Sequence, residues 1–191
     1  MAKSKNKSEV KVGALLLAEP FLEDPHFRRS VVLVCERNKE GTLGFILNKP
    51  VGINICNLLS SFPEFNSEVY YGGPVQTDTI HYLHNKGDLI QDSVEIDTGL
   101  FWGGNFEEVK FCVENGLITP LDIKFFVGYS GWGEGQLEEE MGYNNWILGE
   151  VDRNYIFNTY GGDSKNLWAK VLENEGDVFS VIAQMPLPNW N

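Results

Sequence analysis

Two glycine-rich segments carry the residues that could bind an anion. One is the GGPV run at 72–75, which follows a strand-like stretch, and the other is the GWGEGQ run at 131–136, which precedes a helix-like one. Backbone amides in such turns, or at a helix N-terminus, can point together at a phosphate or carboxylate. Neither run has the spacing of a Walker or dinucleotide-binding loop. We therefore favour structural roles: a tight turn for the first, and a buried indole beneath a glycine-rich loop for the second.

The histidines and cysteines form no metal-binding or catalytic motif. His81 and His84 are three positions apart in a strand-like segment, so we expect their side chains to face opposite sides of a sheet. Cys35, Cys56 and Cys112 are widely spaced, which is typical of reduced thiols, and Cys56 is expected to be the most exposed. We predict no metal site, no catalytic residue and no cofactor.

Arginines at the start of an apolar run suggest an ion pair. Arg28 and Arg29 precede the run 30–35, and a buried arginine requires a carboxylate partner. Glutamates in the later segment 134–140 are the candidates. We expect Arg29 to pair with Glu138 or Glu140, and we favour this structural role over contact with a substrate.

Residues from separate motifs form a candidate ligand-binding site if the fold brings their segments to one end of a sheet. The predicted ligand-binding set is Arg29, Asn48, Gly72, Gly73, Pro74, Trp132 and Gln136. An alternative is an enzyme whose site is formed by five of these, namely Arg29, Asn48, Gly73, Trp132 and Gln136. Both interpretations require side chains that are distant in sequence to converge within about 10 Å, the width of a pocket of a few hundred Å³.

Strand signals dominate the first half of the chain, because β-branched and aromatic runs there are bounded by Gly, Pro, Asn or Asp. A hairpin is predicted at 38–41, where only a short polar turn separates two apolar runs. The predicted strands are Gly13–Ala18, Ser30–Glu36, Leu43–Asn48, Val69–Tyr71, Thr79–Leu83, Ile123–Gly128, Trp146–Glu150, Tyr155–Phe157 and Phe179–Ala183.

Helix signals are clearest after residue 100. Asn105 can cap a helix whose apolar residues share one face and which stops at Gly116. Two further helices are predicted at Gly135–Met141 and Ser164–Glu175. Early strands followed by interspersed helices predict an α+β fold, a coiled mixed sheet that is largely antiparallel and packs against a few helices.

Length and charge limit the domain organisation and the partners. The 191 residues suffice for one domain, expected at 12–191 after a disordered basic tail at 1–11. With 15 basic against 27 acidic residues, the net charge is −12, which opposes binding to nucleic acids and to acidic membranes. The apolar run at 12–18 is too short for a membrane span and lacks a signal-peptide cleavage site, so we expect a cytoplasmic protein.

Several motifs occur in an order that resembles the YqgE/AlgH family. They are Gly13–Ala18, Asp24–Val32, Gly41–Pro50, Gly72–Val75 and Gly128–Glu140. The resemblance spans the chain from about residue 12 and implies a bacterial cytoplasmic protein with a complex α+β fold of coiled and bifurcated sheets. Family members are commonly labelled transcriptional regulators, through association with exopolysaccharide control, and the resemblance implies no particular enzymatic activity.

The functional prediction is a non-enzymatic binding or regulatory module that acts through a protein or small-molecule partner. It depends on the family resemblance and on the lack of a catalytic motif. The alternatives are the five-residue enzyme site given above and a regulator that binds DNA directly, which the negative charge disfavours.

Overall fold

The computed structural model describes residues 9–157, 166–176, 181 and 183–185. The strands are β1 Leu15–Ala18, β2 Val31–Asn38, β3 Gly41–Ile46, β4 Pro50–Asn54, β5 Glu68–Tyr71, β6 Val75–His84, β7 Val94–Asp97, β8 Leu100–Trp102, β9 Ile123–Gly133 and β10 Trp146–Gly149. The helices are α1 Ile55–Leu58, α2 Phe106–Glu114, α3 Gln136–Gly142, α4 Arg153–Ile156 and α5 Leu167–Glu173.

One bifurcated sheet connects all of these strands. Its main path runs β10-β1-β2-β3-β9-β6-β8-β7, and β4 joins β5, which in turn pairs with β9. The long strand β9 belongs to both branches. Residues 130–133 pair with β3, residues 123–127 and 129 pair with β6, and residues 125–127 also pair, in parallel, with β5. All the other strand pairs are antiparallel. The predicted largely antiparallel α+β fold is confirmed.

Three apolar clusters fill the space on the faces of this sheet. Side chains of alternating strand residues enter different clusters: Leu15 and Leu17 join a central core with α5, whereas Leu16 and Ala18 join an outer core with α3. A second outer core lies beneath α2, whose buried residues are Val109, Cys112 and Val113. The fully apolar strand β1 is therefore explained by burial on both of its faces.

The local signals in the sequence predicted most elements correctly. The hairpin at 38–41 forms, with Asn38 paired to Gly41, and Asn105 caps α2 by accepting hydrogen bonds from the amides of Glu107 and Glu108. The glutamate-rich helix is α3, preceded by Gly135 in the left-handed conformation. The predicted Ser164–Glu175 helix is α5 where it is described, since residues 164 and 165 lie outside the described part.

Two predicted strands are wrong or fall partly outside the described residues. Tyr155–Phe157 lies in and just after α4, because Asp152 accepts a hydrogen bond from the amide of Asn154 and begins a helical turn. In the predicted strand Phe179–Ala183, Val181 and Ala183 are helical, and the other positions lie outside the described residues.

The elements that the sequence did not predict are short or carry poor strand formers. The edge strand β4 begins at a proline and contains Gly52, both depleted in strands. Strands β7 and β8 form a tight hairpin around Gly99, at φ +65°, and contain only four and three residues. Pairing with neighbouring strands, rather than local propensity, makes these segments extended.

The chain ends of the domain are described only in part. Residues 1–8 of the expected basic tail lie outside the described residues, while the side chain of Val10 is buried in the outer core with α3. Among the described helices, none has the length and apolar character required to span a bilayer.

Candidate functional site

Trp132 and Gln136, two of the predicted ligand-binding residues, are held by one carboxylate. Trp132 and Trp146 both donate from their indole nitrogens to Glu140 Oε2, at 2.9 and 2.7 Å, while Gln136 Nε2 donates to Oε1 at 3.0 Å. Trp132 is 4% exposed and stacks on Phe27, with ring centroids 6.1 Å apart. This arrangement agrees with the structural role that we favoured for the indole.

Asn48 bonds to the backbone at the start of β2, and the Arg29 side chain packs elsewhere. Asn48 donates to the carbonyl of Arg29 and accepts from the amide of Val31, at 2.8 and 2.9 Å. The Arg29 guanidinium donates to the carbonyl of Met185 and lies over the Trp168 ring, 5.0 Å from its centroid. Asn48 is therefore a buried structural bridge that fixes the unusual Arg29 backbone, at φ +52°.

The expected ion pair between Arg29 and the glutamate helix is not present. Glu138 instead pairs with Arg37, and this hydrogen bond holds the pKa of Glu138 below its usual value. Glu140 is occupied by the two indoles. The expectation failed because Arg29 packs on Trp168 of the central core, whereas α3 covers the opposite face of the sheet.

The 72–75 turn is a point of close contact between backbone segments. The Gly72 carbonyl accepts hydrogen bonds from the Ile46 amide and the Ser130 hydroxyl. At Gly73, a Cβ atom would lie 2.3 Å from the Tyr129 carbonyl, so only glycine fits there. Pro74 is exposed. The structure accounts for Gly72 and Gly73 as packing glycines beside β9.

The predicted ligand-binding residues therefore do not converge. Arg29 packs on the face of the sheet that carries the central core, whereas Trp132 and Gln136 lie on the face that α3 covers. The side chain of Asn48 is already hydrogen-bonded to backbone groups. Gly131, Trp132 and Gly133 do border a cleft of about 370 Å³, but its lining includes the carboxylates of Glu36 and Glu40. Those carboxylates oppose the anion that the glycine-rich run suggested.

A different cleft has the composition of a binding site. It lies beside β6, where β8 ends and α2 begins, and its volume is about 540 Å³. This size falls within the usual range for small-ligand pockets. We call it the β6–β8 cleft, and its lining residues are Leu59, Asp78, Ile80, His81, Tyr82, Trp102, Gly103, Gly104 and Phe106.

Aromatic rings form two walls of the β6–β8 cleft. On one face of the sheet, His81 and Trp102 have ring centroids 6.4 Å apart, and both pack on Phe45. On the other face, Tyr82 and Phe106 have centroids 5.7 Å apart. The two walls arise from strand alternation, because His81 and Tyr82 are consecutive in β6 and point in opposite directions.

Hydrogen-bond acceptors provide the polar character of the cleft. The Thr79 hydroxyl donates to the Gln76 carbonyl, so it accepts from His81 Nε2, and Nδ1 remains the acceptor nitrogen of the His81 ring. Burial lowers the pKa of His81, which keeps the imidazole neutral near pH 7. Asp78 adds an exposed carboxylate, and none of the described lining residues is a lysine or arginine. The cleft therefore favours ligands that donate hydrogen bonds or carry positive charge.

Two β6 side chains fix the glycine turn at the cleft. His84 Nδ1 accepts from the Lys86 amide, so its Nε2 donates to the Gly103 carbonyl at 2.9 Å. The Tyr82 hydroxyl donates to the Gly104 carbonyl at 2.6 Å. Burial raises the pKa of Tyr82 to about 12, and Glu108 nearby acts in the same direction, so the phenol remains a donor. These contacts make the cleft wall rigid.

Other groups that could do chemistry lie in packed surroundings. Cys35 and Cys112 are buried, and burial raises the pKa of each thiol, whereas Cys56, which was expected to be the most exposed, is half-buried on α1. No group of three or more potential metal-ligating side chains occurs within the described ranges. His81 and His84 contact different neighbours, Phe45 and Phe101, in agreement with strand alternation.

The β6–β8 cleft was not predicted from the sequence, although one signal for it was present. The FWGG run at 101–104 places two aromatic residues before two glycines, directly ahead of a helix cap. Such a run indicates a strand that ends in a tight turn and places aromatic rings at the edge of the sheet. Without the pairing of β8 to β6, nothing in the run shows that it meets His81 and Tyr82.

Known proteins with similar sequences and folds cover nearly the whole chain. A family model described as AlgH-like matches residues 15–180. A UPF0301 protein from Chlorobium phaeobacteroides is 41% identical over 180 residues, 94% of this chain and 95% of the relative. Another from Chlorobaculum tepidum is 40% identical over 188 residues, covering 97% and 99% of the two chains.

Two solved structures share the fold. The AlgH protein from Pseudomonas aeruginosa has a TM-score of 0.68 and 28% identity, with 95% of this chain and 98% of that chain covered. A protein from Corynebacterium diphtheriae has a TM-score of 0.77 and 19% identity, with 94% and 95% covered. The second likeness shows a shared fold only.

Proposed function

This chain belongs to the AlgH-like family, and we propose that it acts as a non-enzymatic binding or regulatory module whose recognition site is the β6–β8 cleft. The observation that carries the proposal is the aromatic lining of a cleft of about 540 Å³, whose described lining residues include hydrogen-bond acceptors and no lysine or arginine. Aromatic rings that line a cleft supply binding energy through apolar burial, and a few fixed polar groups supply orientation.

The alternative enzyme draws no support from the geometry. Its five residues, Arg29, Asn48, Gly73, Trp132 and Gln136, lie on both faces of the sheet or are engaged in packing. A regulatory role through a protein or small-molecule partner needs only a surface that recognises the partner. The β6–β8 cleft supplies such a surface on a rigid sheet.

A fragment screen tests the proposed site. We expect aromatic amines from a fluorine-labelled fragment library to bind the wild-type protein and to shift the NMR signals of Ile80, His81 and Trp102. Trp102→Ala should abolish this binding, because it removes a wall of the cleft. The matched control is Phe111→Ala, which removes an aromatic that is 59% exposed and lies outside the cleft.

A second variant guards against a loss of folding. Leu59→Trp places a larger side chain in the lining of the cleft, at a half-buried position on the edge of the core beneath α2, so it should block binding while the protein stays folded. Fragment binding that is equal in the wild type, Trp102→Ala and Leu59→Trp would show that the recognition site lies elsewhere.

A further inference from the structure

The edge of β6 at the cleft is only partly paired. Strand β9 pairs with β6 continuously from Ile80 to His84, but β8 pairs only with Leu83 and His84. Beyond these pairs, the last backbone hydrogen bond on the β8 side of β6 is donated by the Gly103 amide to the Tyr82 carbonyl. In the described part of the chain, no strand lies beside Ile80 on the side that faces the cleft.

The register shows which backbone groups face this open edge. In β9, the Val127 carbonyl accepts from the Gly72 amide, so Val127 directs its backbone groups toward β5 and away from β6. Its partner Ile80 must therefore direct its own N–H and C=O away from β9, because paired antiparallel residues alternate in this respect. The Ile80 N–H and C=O thus face the cleft.

After β8 the chain turns away from β6, so that β8 does not extend beside Ile80. Gly103 and Gly104 adopt positive φ values of +69° and +105°, which turn the backbone out of the sheet. The hydrogen bonds from His84 and Tyr82 to their carbonyls hold this exit in place. The space that β8 would occupy, had it continued, is the β6–β8 cleft, and no residue from the described part of the chain fills it.

We propose that the β6–β8 cleft binds an extended polypeptide segment of a partner protein, which adds to β6 as a strand beside Ile80. This inference rests on the proposed function and specifies its ligand. A strand added here would pair its backbone with Ile80 and place alternate side chains on the two faces of the sheet. One face offers Leu59 and Phe106, and the other offers His81 and Trp102.

Charge determines which segment fits. Asp78 and His81 line the cleft, the described lining contains no lysine or arginine, and the protein carries a net charge of −12. A segment with apolar residues at its centre and lysines or arginines at its flanks complements these features. A second copy of this chain would bring Asp78 against a like-charged protein, which disfavours self-association at this edge.

Amide hydrogen exchange in the full-length protein tests the edge itself. The Ile80 amide should exchange much faster than the His81 amide, which the register directs toward β9. Addition of a blocked KVFVK peptide should slow exchange at Ile80 and leave His81 unchanged. An Ile80 amide that is already protected in the free protein would overturn the proposal.

Two methylated peptides test for strand addition. N-methylation of the central phenylalanine removes the amide that would donate to the Ile80 carbonyl, and we expect roughly tenfold weaker binding. N-methylation of the adjacent valine alters an amide that points away from β6 and should change affinity by less than about twofold. Equal weakening by both methyl groups would contradict strand addition.

The remaining outcomes separate this inference from the proposed function. If aromatic fragments bind in a manner that depends on Trp102 but KVFVK leaves Ile80 exchange unchanged at millimolar concentration, the cleft remains a binding site and strand addition is wrong. If neither probe binds, both proposals fail. A dimer in light scattering whose formation protects Ile80 without peptide would also overturn the peptide proposal.

Discussion

At the residue scale, the side chain of Glu140 provides the hydrogen-bond acceptors for the residues packed around it. Its two carboxylate oxygens accept hydrogen bonds from three donors, and two of these are indoles of tryptophans that are each only 4% exposed. Buried indole N–H groups require partners, so the glutamate allows both rings to pack in the outer core with α3. From the sequence, this glutamate was expected to be a partner for Arg29.

Glu140→Gln should lower the free energy of unfolding by roughly 1–3 kcal/mol, because an amide presents its NH₂ group to at least one of the three donors. Urea denaturation measures the change. The matched control is Glu139→Gln, which alters an exposed neighbour that accepts a hydrogen bond from Tyr143 at 3.4 Å. We expect the control to change stability by less than about 0.5 kcal/mol.

Trp132→Ala should destabilise the protein by roughly 3–5 kcal/mol, since the ring packs on Phe27 and Trp146 in a closed core. Trp102→Ala is the comparison, because Trp102 is half-buried at an open cleft and should give the smaller loss. A loss below about 1 kcal/mol for Trp132→Ala, with an unchanged denaturant slope, would contradict its structural role.

Lys124 gives a prediction about pH. The side chain is 3% exposed with Nζ 3.4 Å from the centroid of the Tyr70 ring, and burial lowers its pKa to about 7 despite the opposing effect of Glu68. The unfolded chain, with a lysine pKa of about 10.4, binds more protons than the folded chain between these values. The stability of the wild type should therefore rise with pH from 7 to 10, relative to Lys124→Met.

Urea denaturation of both proteins at pH 7 and pH 10 measures this difference. The other titrating groups are common to the two proteins and cancel in the comparison. Lys39→Met, at an exposed lysine, controls for the loss of one positive charge. A stability difference between wild type and Lys124→Met that does not change with pH would contradict the lowered pKa.

At the scale of elements, β9 joins the two branches of the sheet and requires close backbone approach. The 72–74 turn crosses β9 where its pairing changes from β6 and β5 to β3. Glycines at 72, 73 and 128 lie within van der Waals distance of one another's backbone or of β9, and a Cβ at any of them would clash. The junction therefore requires glycine at these positions, because a side chain would prevent the close approach of the backbones.

Gly73→Ala should destabilise the fold by about 3 kcal/mol, because the new Cβ would lie 2.3 Å from rigid Tyr129 backbone atoms. Gly52→Ala is the matched control, with φ +80° and no atom within 4 Å of the new Cβ. The control should lose only about 1 kcal/mol, from backbone conformation. Thermal or urea denaturation measures both, and equal losses would show that the close approach is not limiting.

At the scale of the whole molecule, charge restricts the classes of partner that the protein can bind. The net charge of −12 creates a repulsive field for polyanions, while the β6–β8 cleft favours donors and cations. A regulatory role is therefore more compatible with a protein partner than with direct contact to DNA.

A gel shift with random duplex DNA tests this restriction. We expect no sub-micromolar binding at physiological salt, because phosphate neutralisation supplies most of non-specific DNA affinity. The same assay at low salt is the internal control for weak contact by the lysine-rich N-terminal residues. Sub-micromolar binding that persists at physiological salt would contradict the electrostatic argument.

Local sequence patterns determined much of the fold. The uninterrupted apolar run of β2, the polar turn at 38–41 and the Asn105 cap each act within a few residues, so their structures could be predicted from the sequence. Strand alternation also separated His81 from His84. The family resemblance drew on several such motifs in order.

The site was decided by tertiary structure. From the sequence we predicted that Arg29 pairs with the glutamate helix, but the two lie on opposite faces of one sheet. No local sequence pattern indicates which face of a sheet a residue will share with a distant segment. The cleft exists because β8 ends at Trp102, opposite Leu83, whereas β6 extends beyond the end of β8, in the direction of Val75. The β6–β8 register joins positions about 20 residues apart, and the β6–β9 register joins positions 39 to 54 residues apart. Such pairings depend on the summed packing of the sheet rather than on the residues at either position alone.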